Sequence, residues 1–226
     1  MKKNALVVAS LFVLAMTGST LAWAPMGSPT TDLKQGQFRA GFEYAHSSTD
    51  FDVDFGGLTL SADNVKSDFF VANIGYGLLD DWEMFVRLGA ANAEADYGFD
   101  LGFGTKVTVL RKEKFSLGVL FQANWFRSDD SVDGIDATLK VYEIQFAAGP
   151  SYKLSDNISV FGGPFLHFIG GKLDIEGYDT YDVKEDAEIG DFVGLEAEVC
   201  RNTSLYGEFQ LASGQWAVGS GINFKF

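Results

Sequence analysis

Apolar and polar residues alternate along most of this chain, and that period of two constrains the fold more than any other feature. The final segment, WAVGSGINFKF, shows it clearly: Trp216, Val218, Ile222, Phe224 and Phe226 share one parity, while the other parity holds small and polar residues. Because successive side chains of a strand point to opposite faces, such a segment predicts a strand with one apolar face. We count ten segments of this kind after residue 36, each of about 10–15 residues.

The connections between the predicted strands alternate in length. On one side of the sheet they are short turns, at 79–81, 111–114, 154–157 and 200–204. On the other side we predict one short connection at 212–215 and four long acidic loops, at 47–66, 92–101, 127–137 and 172–190. Both ends of the strand-forming region then lie on the side of the short turns.

The apolar face of these strands has to be covered, either by a second sheet or by lipid. The strands exceed the ~5–6 residues usual in globular proteins and reach the ~9–11 residues that cross a bilayer at a tilt. Aromatic residues also mark both strand ends, as two girdles at the membrane interfaces would. The predicted girdle residues are Tyr44, Phe70, Trp82, Phe115, Trp125 and Tyr152.

These observations predict an all-β fold, a closed antiparallel transmembrane β-barrel of ten strands, with eight strands as the alternative. We assign 36–226 to the barrel and 23–35 to a short segment that precedes it. Residues 1–22 have another pattern, with two lysines before the apolar stretch 5–16 and small residues up to Ala22. This pattern predicts a secretory signal peptide that is cleaved after Ala22. Cleavage after Ala24 is the alternative, which we favour less because Pro25 would follow the cut.

Composition argues against several other classes of protein. The formal net charge of −14 disfavours nucleic-acid binding, which needs a basic face. Cys200 is the only cysteine, so the chain can form no internal disulfide and has too few thiols for a zinc or iron–sulfur centre. We expect neither a cofactor nor a metal ion.

The terminal WAVGSGINFKF and hairpins such as IGYGLLDDWEMFVRLG resemble the small outer-membrane β-barrel proteins of Gram-negative bacteria, the broad OmpA-like and OmpX-like group. The resemblance implies a monomer in the bacterial outer membrane, with periplasmic termini, 23–35 in the periplasm and extracellular long loops. It also implies contact with outer-membrane lipid and lipopolysaccharide. In that group the barrel-assembly machinery reads the last strand, and the matching residues here are Trp216, Ile222, Phe224 and Phe226.

The polar parity of the strands faces the lumen if the apolar parity faces lipid. Because unpaired charges in a narrow lumen are costly, we expect a charge network that closes the barrel, and a structural or surface role. The alternative is a narrow passive pore, which would prefer cations because carboxylates predominate in this set. The predicted lumen charges are Arg39, Glu43, Glu83, Arg87, Lys106, Glu143, Glu196, Glu198, Glu208 and Lys225.

A third hypothesis is an outer-membrane lipid or peptide hydrolase with one of the two histidines as its base. His46 begins the stretch HSSTD (46–50), which contains the elements of a Ser/His/Asp set, but His46 has the lipid-facing parity. His167 has the inward parity and is more simply a lumen histidine, so we predict no catalytic residues. The acidic stretch 49–57 lacks the rest of a calcium-binding loop and is predicted to be solvated negative charge.

Overall fold

A computed structural model describes residues 23–54, 59–92, 97–132, 135–178, 180–184, 187–213 and 215–226. The predicted signal peptide, 1–22, lies outside the described residues. The described chain is built of β-strands and turns, and it contains no helix that could cross a membrane.

Eleven strands of the described residues make up one sheet. They are β1 (Phe38–Asp54), β2 (Thr59–Leu79), β3 (Trp82–Asn92), β4 (Gly98–Arg111), β5 (Phe115–Val132), β6 (Ile135–Lys153), β7 (Ile158–Ile175), β8 (Thr180–Lys184), β9 (Glu188–Cys200), β10 (Thr203–Ala212) and β11 (Gln215–Lys225). All except β8 close into an antiparallel barrel, in which β7 pairs with β9 and β11 pairs back to β1. The short β8 bridges β7 and β1 at one end. The predicted closed barrel of ten strands is confirmed.

The four predicted short turns all connect strands, but the strands at the other end run beyond the predicted loop boundaries. β5 and β6 stay paired as far as Val132 and Ile135, so most of the predicted loop 127–137 is hairpin. β1 and β2 likewise cover most of 47–66, and β7 and β8 occupy part of 172–190. The loop prediction was wrong there because acidic residues are tolerated in a strand whose other face is packed. In β6, for example, Ala137 and Leu139 are buried in the interior.

The middle of the barrel has an apolar outer face and a polar inner face, the reverse of a soluble protein. Outward side chains such as Phe42, Phe70 and Val86 are about half exposed, whereas the inward Gln122 and Gln145 are completely buried. An exposed apolar surface that encircles the molecule needs lipid to cover it.

Aromatic side chains bound this apolar band at both ends. Phe115 lies directly opposite Tyr152 at the short-turn end, and Tyr44 lies directly opposite Phe70 at the other end. Trp125 follows Phe115 by ten residues on β5. At ~3.3 Å per residue and a strand tilt of ~40°, this spacing corresponds to about 25 Å along the barrel axis, the usual height of the apolar band. All six predicted girdle residues lie on the outward face, namely Tyr44, Phe70, Trp82, Phe115, Trp125 and Tyr152.

β6 and β7 approach each other closely at one level of the barrel. A Cβ atom added at Gly149 would lie 1.8 Å from the carbonyl oxygen of Gly162, so only glycine fits there. Pro150 and Pro164 lie at the same level and have no N–H to donate to the ladder. This irregularity explains the uneven pattern of 158–171, which nevertheless forms a strand as predicted.

Candidate functional site

The chain segment that precedes β1 lies inside the barrel. Trp23, Ala24 and Met26 have no solvent exposure, and Leu33 is 1% exposed. Residues 23–33, part of the predicted short periplasmic segment 23–35, therefore lie in the lumen, and we call them the N-terminal plug. These residues have no period of two that could indicate a barrel location. These residues are held in place by hydrogen bonds to the polar side chains that point into the lumen.

Two inward carboxylates accept hydrogen bonds from the backbone of the N-terminal plug. The Glu208 carboxylate accepts from the N–H of Met26 at 2.7 Å and from the N–H of Gly27 at 2.6 Å. The Glu143 carboxylate accepts from the N–H of Ala24 at 3.3 Å. Because buried backbone N–H groups need acceptors, these contacts satisfy the plug and the carboxylates together.

The carbonyl groups of the N-terminal plug are also bonded to the barrel wall. Arg87 Nη2 donates to the carbonyl oxygen of Pro25 at 2.6 Å. Gln210 and Gln122 donate to the carbonyl oxygen of Ala24 at 3.2 and 3.3 Å. Side chains from β3, β5 and β10 therefore hold one peptide segment in the centre of the lumen.

A second set of contacts holds the plug near the short-turn end. Thr31 donates its hydroxyl to Glu83 at 2.6 Å, and its N–H donates to Thr108 Oγ1 at 3.0 Å. Asp32 pairs with Lys225. Burial alone would raise the pKa of Asp32, but the nearby Lys225 ammonium outweighs this effect, so the pKa lies below its usual range.

The inward charges also pair with one another. Arg87 Nε lies 2.7 Å from Glu43 Oε2, and Arg39 pairs with Glu83. Arg87 Nη1 also donates to Gln122 Oε1 at 2.8 Å. Buried ions need such partners, because taking an unpaired charge out of water costs several kcal/mol or more.

The structure thus brings together most of the ten predicted lumen charges. Seven of them contact each other or the N-terminal plug through ion pairs or hydrogen bonds: Arg39, Glu43, Glu83, Arg87, Glu143, Glu208 and Lys225. Lys106 is buried near the ring of Phe85, and Glu196 accepts a hydrogen bond from Ser204 at 2.7 Å. Glu198 is exposed at the short-turn rim. The sequence analysis did not predict that backbone N–H groups of the N-terminal plug would bond to Glu143 and Glu208. The excess of carboxylates over cations in the predicted set was the one sign that further hydrogen-bond donors were needed.

Beyond this polar layer, towards β8, the lumen is filled by apolar side chains. Phe69, Phe126 and Ile169 point inward and join Val183 of β8 in one buried cluster. Ala24 belongs to the same cluster, so the N-terminal plug abuts it. The described side chains therefore occupy the lumen at two levels, one polar and one apolar.

The short-turn end of the lumen holds a cavity of about 490 Å³. Charged side chains of both signs line it, among them Arg39, Arg111 and Glu196. Gly27 and Thr31 of the N-terminal plug form part of its wall. The cavity is therefore a vestibule bounded by the plug.

The structure encloses one of the two histidines and leaves the other partly exposed on the outer face. His167 has no exposure, lies 3.0 Å from Glu143, and has the ring of Trp23 against it, so a substrate cannot reach it. His46 bonds Asp68 at 3.0 Å, whereas Ser47 is buried against Ser67. The carboxylate of the predicted Ser/His/Asp set would come from Asp50, whose side chain the structure does not describe. Within the described ranges, no group of three or more His, Cys, Asp or Glu residues could hold a metal ion.

The residues of the predicted assembly signal lie on β11 and just after it. Trp216, Ile222 and Phe224 have outward parity between β10 and β1. Phe226 follows the strand, exchanges backbone hydrogen bonds with Phe38, and is 74% exposed.

No family model and no curated protein matches the chain. Among solved structures it is similar to the outer membrane protease OmpT from Escherichia coli, at 12% identity over 87% of this chain and 98% of that one, with a TM-score of 0.52. It is also similar to an outer membrane channel from Pseudomonas putida F1, at 13% identity over 90% and 100%, with a TM-score of 0.50. The attachment invasion locus protein Ail of Yersinia pestis aligns at 15% identity over 85% and 99%, with a TM-score of 0.41.

The likenesses to the protease and to the channel show the fold. The chain has the fold of the small outer-membrane β-barrels, which confirms the predicted resemblance at that level. Because the similar structures include a protease and a channel, the shared fold does not decide the activity.

The contacts of Glu208 predict a large effect of its removal. Glu208→Ala leaves the N–H groups of Met26 and Gly27 without an acceptor, so we expect a loss of about 1–3 kcal/mol of unfolding free energy. Glu198→Ala, at the exposed rim, is the control and should change it by less than about 0.5 kcal/mol. Urea unfolding in lipid vesicles measures both. Equal stabilities of the two variants would contradict the bonding of the plug.

Proposed function

We propose that the protein is a non-enzymatic outer-membrane β-barrel with a structural or surface role, closed by its own N-terminal plug. The observation that carries this proposal is the position of 23–33 in the lumen, where Glu143 and Glu208 accept its backbone N–H groups. A barrel filled in this way offers its outer surface and its projecting hairpins to partners, and offers no passage.

The two closed layers argue against the cation-preferring pore. For the lumen to conduct, the N-terminal plug would have to leave, and Glu208 and Arg87 would lose hydrogen bonds to it. Each hydrogen bond to a charged group contributes about 1.5–3 kcal/mol to stability. The apolar cluster around Phe69 and Phe126 would still have to be wetted after the plug had left.

The accessibility of the histidines supports the non-enzymatic role. A hydrolase needs its base beside a site that a substrate can enter. His167 is enclosed by Trp23 and Glu143, and His46 faces outward with Asp68 and Tyr44 as its polar neighbours.

The apolar band and the strand ends support the proposed location and partners. We assign the short turns, the chain terminus at Phe226 and the vestibule to the periplasm, and the long hairpins to the cell exterior. The outward residues of β11 then serve the barrel-assembly machinery, as the resemblance implies. The partners are outer-membrane lipid and lipopolysaccharide, nucleic acid is not one, and the protein is a monomer.

If the lumen is closed as proposed, the protein should conduct no ions. Refolded wild-type protein in a planar bilayer should give no conductance steps, because both layers of the lumen are filled. An unheated gel lane, in which a folded barrel migrates differently from the heated chain, is the control for folding. Reproducible cation-selective steps that change in Glu143→Gln would overturn the closed-barrel proposal in favour of the pore.

The single cysteine allows a direct test of orientation. Cys200 is exposed at the short-turn end, so a membrane-impermeant maleimide should label it only after the outer membrane has been permeabilised. Glu176→Cys in a Cys200→Ser background places the thiol in the turn between β7 and β8, at the other end, and should be labelled in intact cells. The opposite pattern would show that the assigned orientation is inverted.

A further inference from the structure

Glu143 is a buried lumen carboxylate that has no lysine or arginine partner among the described residues. It accepts a hydrogen bond from Asn124 Nδ2 at 3.0 Å and lies 3.0 Å from His167 Nε2. His167 is charged only when it is protonated, and Arg87 and Arg39 pair with other carboxylates. Because a buried carboxylate without a counter-ion is costly, Glu143 needs a further cation.

A second carboxylate adds negative charge to the same region of the lumen. Asp100 of β4 is 2% exposed, and its Oδ1 has no hydrogen-bond partner in the part of the chain that the structure describes. Asp100 precedes Gly102 by two residues, Gly102 lies directly opposite Asn124, and Asn124 lies directly opposite Glu143. The two inward carboxylates are therefore close enough for one cation between them to stabilise both.

The N-terminal plug begins beside Glu143. The N–H of Ala24 is shared between the two oxygens of Glu143 at 3.3 and 3.4 Å, which is long for a hydrogen bond. Glu208, in contrast, accepts two N–H groups of the plug at 2.7 and 2.6 Å. Backbone nitrogens of consecutive residues are about 3–3.5 Å apart, so the nitrogen of Trp23 lies within about 7 Å of Glu143 Oε1. Trp23 is completely buried, so this nitrogen is shielded from water.

The predicted cleavage after Ala22 changes the charge of the Trp23 nitrogen. Hydrolysis of the peptide bond between Ala22 and Trp23 by a signal peptidase consumes one water molecule. It leaves a carboxylate on Ala22 and an amino group on Trp23, and an α-amino group is mostly protonated at neutral pH. A neutral amide with one N–H thereby becomes an ammonium with three donors, beside a carboxylate that needs a cation.

We propose that the mature protein begins at Trp23 and that the α-ammonium of Trp23 is the counter-ion of Glu143. The inference rests on the proposed closed barrel and on the predicted cleavage after Ala22. It is supported by the burial of Trp23, by the long shared hydrogen bond at Glu143 and by the second carboxylate at Asp100. A small shift of the flexible Glu143 side chain brings the two charges into contact.

The ion pair links the stability of the closed barrel to processing of the chain. In the precursor the nitrogen of Trp23 is a neutral amide, and it cannot neutralise Glu143. The cation is created by the cut itself, so the lumen reaches its full stability only in the processed chain. Removal of the signal segment then acts as a switch that makes closure of the barrel favourable.

The test begins with the intact mass of protein extracted from outer membranes, which should correspond to a chain that starts at Trp23. The same chain, released from a cleavable fusion, is acetylated at its α-amino group in denaturant at about pH 6.5, where lysines stay protonated. After refolding into vesicles, acetylation should raise the unfolding rate in urea roughly ten- to a hundredfold, because a buried ion pair that loses one partner is strongly destabilised. Glu198→Gln, at the exposed rim, is the matched control and should respond in the same way.

In Glu143→Gln the ion pair is already lost, so acetylation should change the unfolding rate by less than about twofold. An equal effect of acetylation in Glu143→Gln and in the wild type would show only that the acetyl group does not fit, and would overturn the inference. A second measurement needs no variant. In the folded wild-type barrel the amino group of Trp23 should be acetylated at least about tenfold more slowly than in the unfolded chain, since it reacts only when the plug opens. Equal rates in the two states would also overturn the inference.

The starting residue and the conductance separate the remaining results. A mature chain that begins at Pro25, from the alternative cut after Ala24, would overturn the inference because Trp23 would have left with the signal segment. Conductance steps from the wild-type protein, together with the expected coupling between acetylation and Glu143, would overturn the proposed closure and support the ion pair. Failure of the proposed function and failure of the inference are therefore distinguishable.

Discussion

Inside a hydrocarbon layer there is no water to bond a peptide group, so every strand that crosses it must have a hydrogen-bonded neighbour on both sides. In this protein the pairing of β11 with β1 meets that requirement and turns an open sheet into a barrel. Closure then fixes the chemistry of both faces. The outer face has to be apolar to meet lipid, and the period of two sends the intervening polar residues into the lumen.

A lumen lined by charges creates a second requirement, because a buried ion is stable only with partners. The barrel meets part of it with cross-strand pairs such as Arg87 with Glu43. The rest is met by a peptide, whose N–H groups reach Glu143 and Glu208 and whose carbonyl oxygens reach Arg87 and the glutamines of the wall. The N-terminal plug thus occupies a space that water would occupy in a channel. The apolar cluster towards β8 occupies the lumen at the other end.

The sequence predicted what depends on local periodicity. The strand number, the short turns and the inward parity of Glu83, Arg87 and Glu208 all follow from alternation. It did not predict the plug, since 23–33 has no periodicity and is positioned by contacts with residues more than 50 positions away. It also missed the inward apolar residues Phe69 and Phe126, which make both faces of their strands apolar, and it took acidic stretches for loops where packing extends the hairpins. Long-range contacts, and not local propensity, decide these features.

The fluorescence of Trp23 reports whether the N-terminal plug lies in the lumen. In a variant with phenylalanine at positions 82, 125 and 216, Trp23 is the only tryptophan of the chain. Refolded into vesicles, it should be quenched neither by aqueous iodide nor by brominated lipid, because it packs against Phe165 and His167 inside the barrel. A matched variant that retains only Trp125 should be quenched by brominated lipid. Strong iodide quenching of Trp23 would show that the segment lies in solvent and not in the lumen.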